Sequence, residues 1–256
     1  MHVIFHEEFN EPYYSDNRYD NAAGPDRLVG IMDALRVEGR YGIALPEPAA
    51  RVDLLRAHNE AHVAAVEGKP RLFTMASLAA GAAILAAELA VRGEPTFACV
   101  RPPGHHAGRS SSWGHCTFSN VALALLKLRD AGLIRSAMVV DFDQHSGDGT
   151  ADVLRNWREA YVFNPYGDCA AEYLHVVDER LKQAPQVDIL AVSAGFDAYL
   201  HDVGHKLATA DYFTMGRLLQ AYAIRLGHQR RFAVLEGGYY LPDLGKNVLA
   251  FCRGFE

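Results

Sequence analysis

The segment Asp141-Phe-Asp-Gln-His145 sets three metal-competent side chains at alternate positions. Residues that alternate along a strand project from one face. The preceding run, Ser136-Ala-Met-Val-Val140, is apolar and β-branched, and Gly147 and Gly149 end it. The pattern predicts a buried parallel strand delivering Asp141, Asp143 and His145 at its carboxyl end, where open α/β sheets gather ligands. Two carboxylates and an imidazole suit a divalent transition ion such as zinc or iron(II). The plainer alternative is an Asp cluster capping a helix beside a satisfied histidine.

Three companion segments repeat the arrangement. Arg101-Pro-Pro-Gly-His-His-Ala107 follows the apolar run Thr96-Phe-Ala-Cys-Val100. Its prolines stop a strand, and Gly104 permits a turn onto His105 and His106. Neighbouring imidazoles resist joint protonation, so one can stay neutral as a base while the other carries charge. Each then needs its own orienting carboxylate, and Asp141 and Asp148 are available. The run Val187 to Ser193 ends in Ala194-Gly-Phe-Asp197, which makes Asp197 the natural third ligand beside Asp143 and His145. A turn or N-cap aspartate is the alternative there. Finally, Arg231-Phe-Ala-Val-Leu-Glu-Gly-Gly-Tyr239 closes a strand on a Gly-Gly turn. A phenol at that rim can donate to an oxygen that becomes negative during attack; an aromatic packed over a turn is the other reading.

In this order, RPPGHHAG, DFDQHSGDGT, SAGFD and LEGGY resemble the arginase/deacetylase superfamily, specifically its histone deacetylase and acetylpolyamine amidohydrolase branch. The resemblance implies Asp143, His145 and Asp197 as zinc ligands. It implies His106 as general base and then acid, and His105 as its electrostatic partner, oriented by Asp148 and Asp141 respectively. Tyr239 would polarise the scissile carbonyl, and Gly114 and His115 would line the acyl channel. A structural potassium is implied beneath the metal loop, on Asp141 and the main-chain oxygens of Asp143 and His145. Asn164 stands where relatives offer that ion a serine hydroxyl. Ser146 replaces a second histidine, and His115 replaces a Phe or Tyr. The chain is also short before Arg101, which implies an open mouth. Asp202, Glu7 and Glu8 are the candidates for an acidic gatekeeper.

The implied activity is a zinc-dependent amidohydrolase acting on an acetylated or short-acylated amine, such as an acetylpolyamine or acetyl-lysine, in a small molecule or peptide. One competing reading is a catalytically silent module that binds acyl amines. Another is a binuclear manganese ureohydrolase. The latter needs further paired carboxylates, whereas Ala198-Tyr199 come after Asp197.

The whole chain sets the frame. Its 256 residues, half of them apolar, are enough for one large domain spanning 1–256. A net charge of −6 argues against a nucleic-acid partner and accords with a cationic substrate. Four cysteines without C-x-x-C spacing predict reduced thiols and a cytoplasmic setting. The first residues, Met1 to Phe5, read as a strand rather than a leader. Leu72 to Val91 is long enough to span a bilayer. Glu88 and the dominance of Ala and Gly instead predict a helix packed on the sheet, with no membrane partner.

Strand patterns near Val3, Ile43, Phe97, Val139, Val162, Ile189 and Val234 alternate with helical ones. The helical stretches are Asp26 to Glu38, Ser119 to Ala131, Ala151 to Trp157, Glu172 to Gln183, Asp211 to Leu226 and Asp243 to Phe251. The expected fold is α/β, a single domain with a mostly parallel sheet flanked by helices on both faces.

Overall fold

The structure, a computed structural model, describes residues 1–13 and 24–256. Seven strands form one sheet: β1 (His2–Ile4), β2 (Gly42–Ala44), β3 (Thr96–Ala98), β4 (Ala137–Asp141), β5 (Ala160–Phe163), β6 (Leu190–Ala194) and β7 (Arg231–Leu235). Their order is β2-β1-β3-β7-β6-β4-β5, and every pairing is parallel. All seven expected strands are present. The four that carry the chemical motifs, β3, β7, β6 and β4, are consecutive neighbours at the centre. They are buried along their whole length, whereas the edge strands β2 and β5 are not. That is why their sequences are continuous apolar runs rather than alternating ones.

The helices are α1 (Asp26–Glu38), α2 (Arg51–Ala57), α3 (Glu60–Glu67), α4 (Pro70–Val91), α5 (Asn120–Asp130), α6 (Asp148–Leu154), α7 (Ala170–Gln183), α8 (Thr209–Arg225) and α9 (Leu241–Phe255). α4 packs on α5 and on β1, β3 and β7, while α9 packs on α8 and α1. The most apolar 18-residue window of α4 is 72% buried inside the fold, as expected of a core helix. Short α2 and α3 escape sequence reading. At seven and eight residues they are too brief to show a helical period.

Two expectations about the central segment need correction. β4 ends at Asp141, so Asp143 and His145 lie in the turn beyond it and converge through loop geometry, not through strand alternation. Gly149 does not end a strand but sits inside α6. A Cβ on it would come 2.4 Å from the backbone nitrogen of Ala107, so the glycine lets α6 press against the histidine loop.

Beneath that turn lies an aromatic floor. Phe142 and Phe196 meet edge-on with ring centroids 5.7 Å apart, and both pack on Phe251 of α9, at 5.2 and 5.9 Å. All three are fully buried. Acidic residues flank two of them in sequence: Asp141 and Asp143 beside Phe142, and Asp197 beside Phe196. The apolar members anchor the two loops in the core and so fix where the carboxylates stand.

Candidate active site

Asp143 and Asp197 are buried, and His145 is exposed above them. His145 Nδ1 lies 3.1 Å from Asp143 Oδ1 and 3.0 Å from Asp197 Oδ2. One donor atom from each of the three falls within 4.8 Å of the others. The remaining oxygens are used by backbone: Asp143 Oδ2 accepts Gly237 N–H at 2.8 Å, and Asp197 Oδ1 accepts Gln144 N–H at 2.9 Å. Asp197 Oδ2 is buried and, despite the nearby imidazole, accepts no hydrogen bond among the described residues. A buried carboxylate oxygen without a donor is costly, and a cation is the usual remedy. A Cβ on Gly237 would sit 2.6 Å from Asp143 Oδ2 and 2.9 Å from Asp197 Oδ2, so only glycine lets β7 close on both acids. These residues fit one divalent ion with bonds of ~2 Å.

The electrostatics agree. The carboxylates of Asp143 and Asp197, both close against its Nδ1, push the His145 imidazole up to about 10. Burial, then the charge of Asp143, pushes Asp197 up to about 6. Crowded anions of this kind call for a shared positive charge. The same donor spacing also joins His105, Cys116 and Glu236. There, however, Glu236 Oε2 accepts the Gly104 and His105 amides and Cys116 Sγ accepts the His106 amide.

Above the carboxylates the two histidine rings lie against one another, centroids 3.9 Å apart and planes tilted by 38°. His105 Nδ1 lies 3.1 Å from Asp141 Oδ2, and His106 Nδ1 lies 2.7 Å from Asp148 Oδ1. Both orienting pairs expected from the sequence therefore form. Burial opposes charge on His105, but Asp143 and Asp141 outweigh it and hold the imidazole well above its ordinary value. His106 is held below its ordinary value, first by desolvation and then by His105. Burial works against charge on Asp148 too, but bonds from His106 and Trp113 keep its carboxylate below the usual range.

A pocket of about 380 Å³ opens over this group, lined among others by Gly114, His115, His145, Val203 and Tyr239. Tyr239 is held by its neighbours. Arg27, buried, donates through Nε to Gly238 O and through Nη2 to Glu236 O, both at 2.6 Å, and its guanidinium lies 5.3 Å from the Tyr239 ring centroid. Asp202 Oδ2 accepts the Tyr239 and Tyr240 amides, at 2.5 and 2.8 Å. Burial keeps the phenol protonated, so it can donate. His115 lies beside Tyr239, ring centroids 6.1 Å apart.

Two expectations fail here. Asp202 is buried and engaged with backbone amides, so it cannot serve as an acidic gatekeeper. Glu7 and Glu8 also lie outside the pocket: Glu7 pairs with Arg36, and Glu8 borders a separate groove with Tyr13 and Met75. Beneath the metal loop, Asn164 Nδ2 donates to Asp141 O at 3.3 Å, so a monovalent ion would compete with this N–H for that oxygen.

Sequence reading missed Arg27, Trp113, Val203 and the pair His58 and His62. His58 Nδ1 lies 2.7 Å from Gly108 O, and its Nε2 accepts the Ser119 amide at 2.9 Å. His62 Nε2 lies 2.9 Å from Thr117 O. Together they pin both ends of the loop that carries Trp113 to Cys116. No motif marks them; only the tertiary contact does.

Comparison with known proteins points the same way. Residues 22–173 match the histone deacetylase domain family. A probable deacetylase of Archaeoglobus fulgidus is 31% identical over 99% of this chain and 86% of its own length. The acetylpolyamine amidohydrolase of Mycoplana ramosa is 30% identical over 72% of this chain and 62% of its own. In fold, the chain is similar to the crystal structure of the HDA15 HD domain, with a TM-score of 0.87 over 99% of this chain and 88% of that one, at 24% identity. The chain belongs to the histone deacetylase family.

Proposed function

We propose that this protein is a zinc-dependent amidohydrolase that removes an acetyl or similar short acyl group from an amine. The observation that carries the proposal is one pocket whose lining joins His145, the exposed member of the Asp143, His145 and Asp197 cluster, to the carboxylate-oriented imidazole of His106. The names of its relatives, deacetylase and acetylpolyamine amidohydrolase, support the same reaction class.

A zinc ion held by Asp143, His145 and Asp197 would supply Lewis acidity to a water and to the amide oxygen. This chain's own groups do the rest. His106 is neutral, its Nδ1 is engaged by Asp148, and Nε2 is left to take a proton from the attacking water. His105, charged and adjacent, keeps His106 from being protonated before the reaction and adds positive potential to the pocket. The Tyr239 hydroxyl donates to the amide oxygen as it becomes anionic. The protonated His106 then passes its proton to the departing amine.

Substrate choice depends on the pocket walls. An amide on a slim aliphatic stem fits a channel of this size, and the net charge favours stems ending in a cation. Acetylputrescine, acetylspermidine and acetyl-lysine peptides are the compounds to screen with zinc-loaded protein. Hydrolysis that stops on chelation and returns with zinc is the expected result. Binding of these amides without turnover would instead support the silent-module reading.

The residues just beyond Asp197 favour the mononuclear reading over a binuclear ureohydrolase. Ala198 is buried, and the Tyr199 hydroxyl donates to Asp243 at 2.9 Å, so no second ligating carboxylate stands there.

A further inference from the structure

We propose that Trp113 is a positioning residue for the His106–Asp148 pair and the aromatic wall of the acyl-amine channel. The inference rests on the hydrolase reading above and extends it to a residue outside the family motifs. Trp113 Nε1 donates to Asp148 Oδ2 at 2.9 Å, while Asp148 Oδ1 faces His106 Nδ1 at 2.7 Å. The indole also stacks on the His106 ring, with centroids 3.6 Å apart and planes 28° from parallel. One side chain therefore grips both halves of the pair.

The need for such a grip is visible in the exposure. His106 is buried, but the Asp148 side chain is 57% exposed. A half-open carboxylate is free to rotate and to exchange its imidazole for water. A second N–H on its other oxygen fixes the carboxylate plane, and a charge-assisted bond is the strong kind. The indole face keeps the imidazole from tilting and excludes water from one side of it. Small losses of alignment at a catalytic group are expensive, so a device of this kind is worth having.

Trp113 is itself held. The loop before it folds back, with Ala107 bridged to Ser112 and Gly108 N–H donating to Ser111 O at 2.9 Å. Asp152 of α6 accepts the Arg109 amide at 2.8 Å, Asn59 N–H donates to Arg109 O at 2.7 Å, and His58 reaches Gly108 O. The indole is thus delivered by a braced turn. It lines the pocket while remaining 53% exposed, so its uncovered surface is offered to the substrate stem.

The test separates the N–H from the ring. Trp113→Phe keeps an aromatic wall and loses the donor; kcat should fall about tenfold, the scale of one hydrogen bond to a charged group, with KM nearly unchanged. Trp113→Ala loses both, so kcat should fall further and KM should rise. In an Asp148→Asn background, Trp113→Phe should add almost nothing, because its effect passes through Asp148. Wild-type kcat in Trp113→Phe would overturn the proposal, and so would an undiminished loss in the Asp148→Asn background.

A second measurement does not need turnover. The chain has two tryptophans, so Trp157→Phe leaves Trp113 as the sole indole. Adding His106→Ala should shift its emission to longer wavelength as water reaches the uncovered face. An unchanged spectrum would show that the rings do not stack and would overturn the proposal whatever the activity. A shifted spectrum together with a zinc-loaded wild-type protein inactive on every acyl amine would overturn the hydrolase reading and the catalytic use of Trp113, while the contact itself stood.

Discussion

The imidazole centroids of His105 and His106 lie 3.9 Å apart, yet their surroundings drive them to different protonation states. His105 faces the buried Asp141 and Asp143, whereas His106 is desolvated beside the resulting cation, and the half-open Asp148 and the charge of Asp143 offset this only in part. Two identical groups thereby receive different tasks, one as fixed charge and one as proton carrier.

The acid limb of the pH–activity profile should reflect this. A base must be neutral to accept a proton, and His106 is held below its ordinary 6.5. Activity should therefore persist below pH 6.5 and fall only when His106 is protonated. Replacing Asp148 with Asn removes a group that raises the His106 value, so the limb should move lower still while turnover drops. A limb that moves upward in that variant would contradict the assignment.

Tyr239→Phe should keep its metal and lose about 10²–10³ in turnover, the usual consequence of deleting one oxyanion donor. Metal content by elemental analysis alongside kcat separates this from a damaged site. Full turnover would remove Tyr239 from the mechanism.

Asp197→Ala should lose bound zinc, and the wild-type chain should hold one zinc per polypeptide. Dialysed, zinc-loaded samples can be counted directly. Two ions per chain would favour a binuclear centre, and retained stoichiometric metal in the variant would show that Asp197 is not a ligand.

His58 predicts a stability effect away from the chemistry. Its Nδ1 must donate to Gly108 O while Nε2 accepts the Ser119 amide, so it folds as one neutral tautomer. Burial, reinforced by His62, pushes it down to about 3. Its folded value is depressed, so its contribution is intact above the ordinary 6.5 and is lost as pH falls toward 3. By pH 5 the loss is about 2 kcal/mol. Glu236, raised by burial to about 7, acts with the opposite sign, so the wild-type curve is a sum. The difference between wild type and His58→Asn in urea midpoints isolates the histidine. Parallel pH dependences for the two proteins would refute this role.

Phe251→Ala should cost about 3–5 kcal/mol, the range for emptying a buried aromatic site. It removes the floor under Phe142 and Phe196, so metal affinity should weaken with stability, which paired unfolding and zinc-binding titrations would show. Unaltered zinc affinity would mean that the loops are held without that floor.

Chain order alone carried much of the site. The apolar runs that lead to Asp141, to the loop of His105 and His106, to Asp197 and to Tyr239 could be read as strands because a fully buried parallel strand needs unbroken hydrophobicity. Their polar ends could be read as ligands and bases because a carboxylate or imidazole at such a position must have a partner. What it could not show was adjacency. The sequence of motifs is β3, β4, β6, β7, but their order in space is β3-β7-β6-β4, and only that order brings Tyr239 and His106 over the same three donors. Likewise Asp202 looked like a free acid, but the fold engages it with three backbone amides. Trp113, Arg27 and His58 carried no local signal, since their work depends on partners 35, 211 and 61 residues away in the chain. Local patterning reports which side a residue must face; three-dimensional packing decides whom it meets.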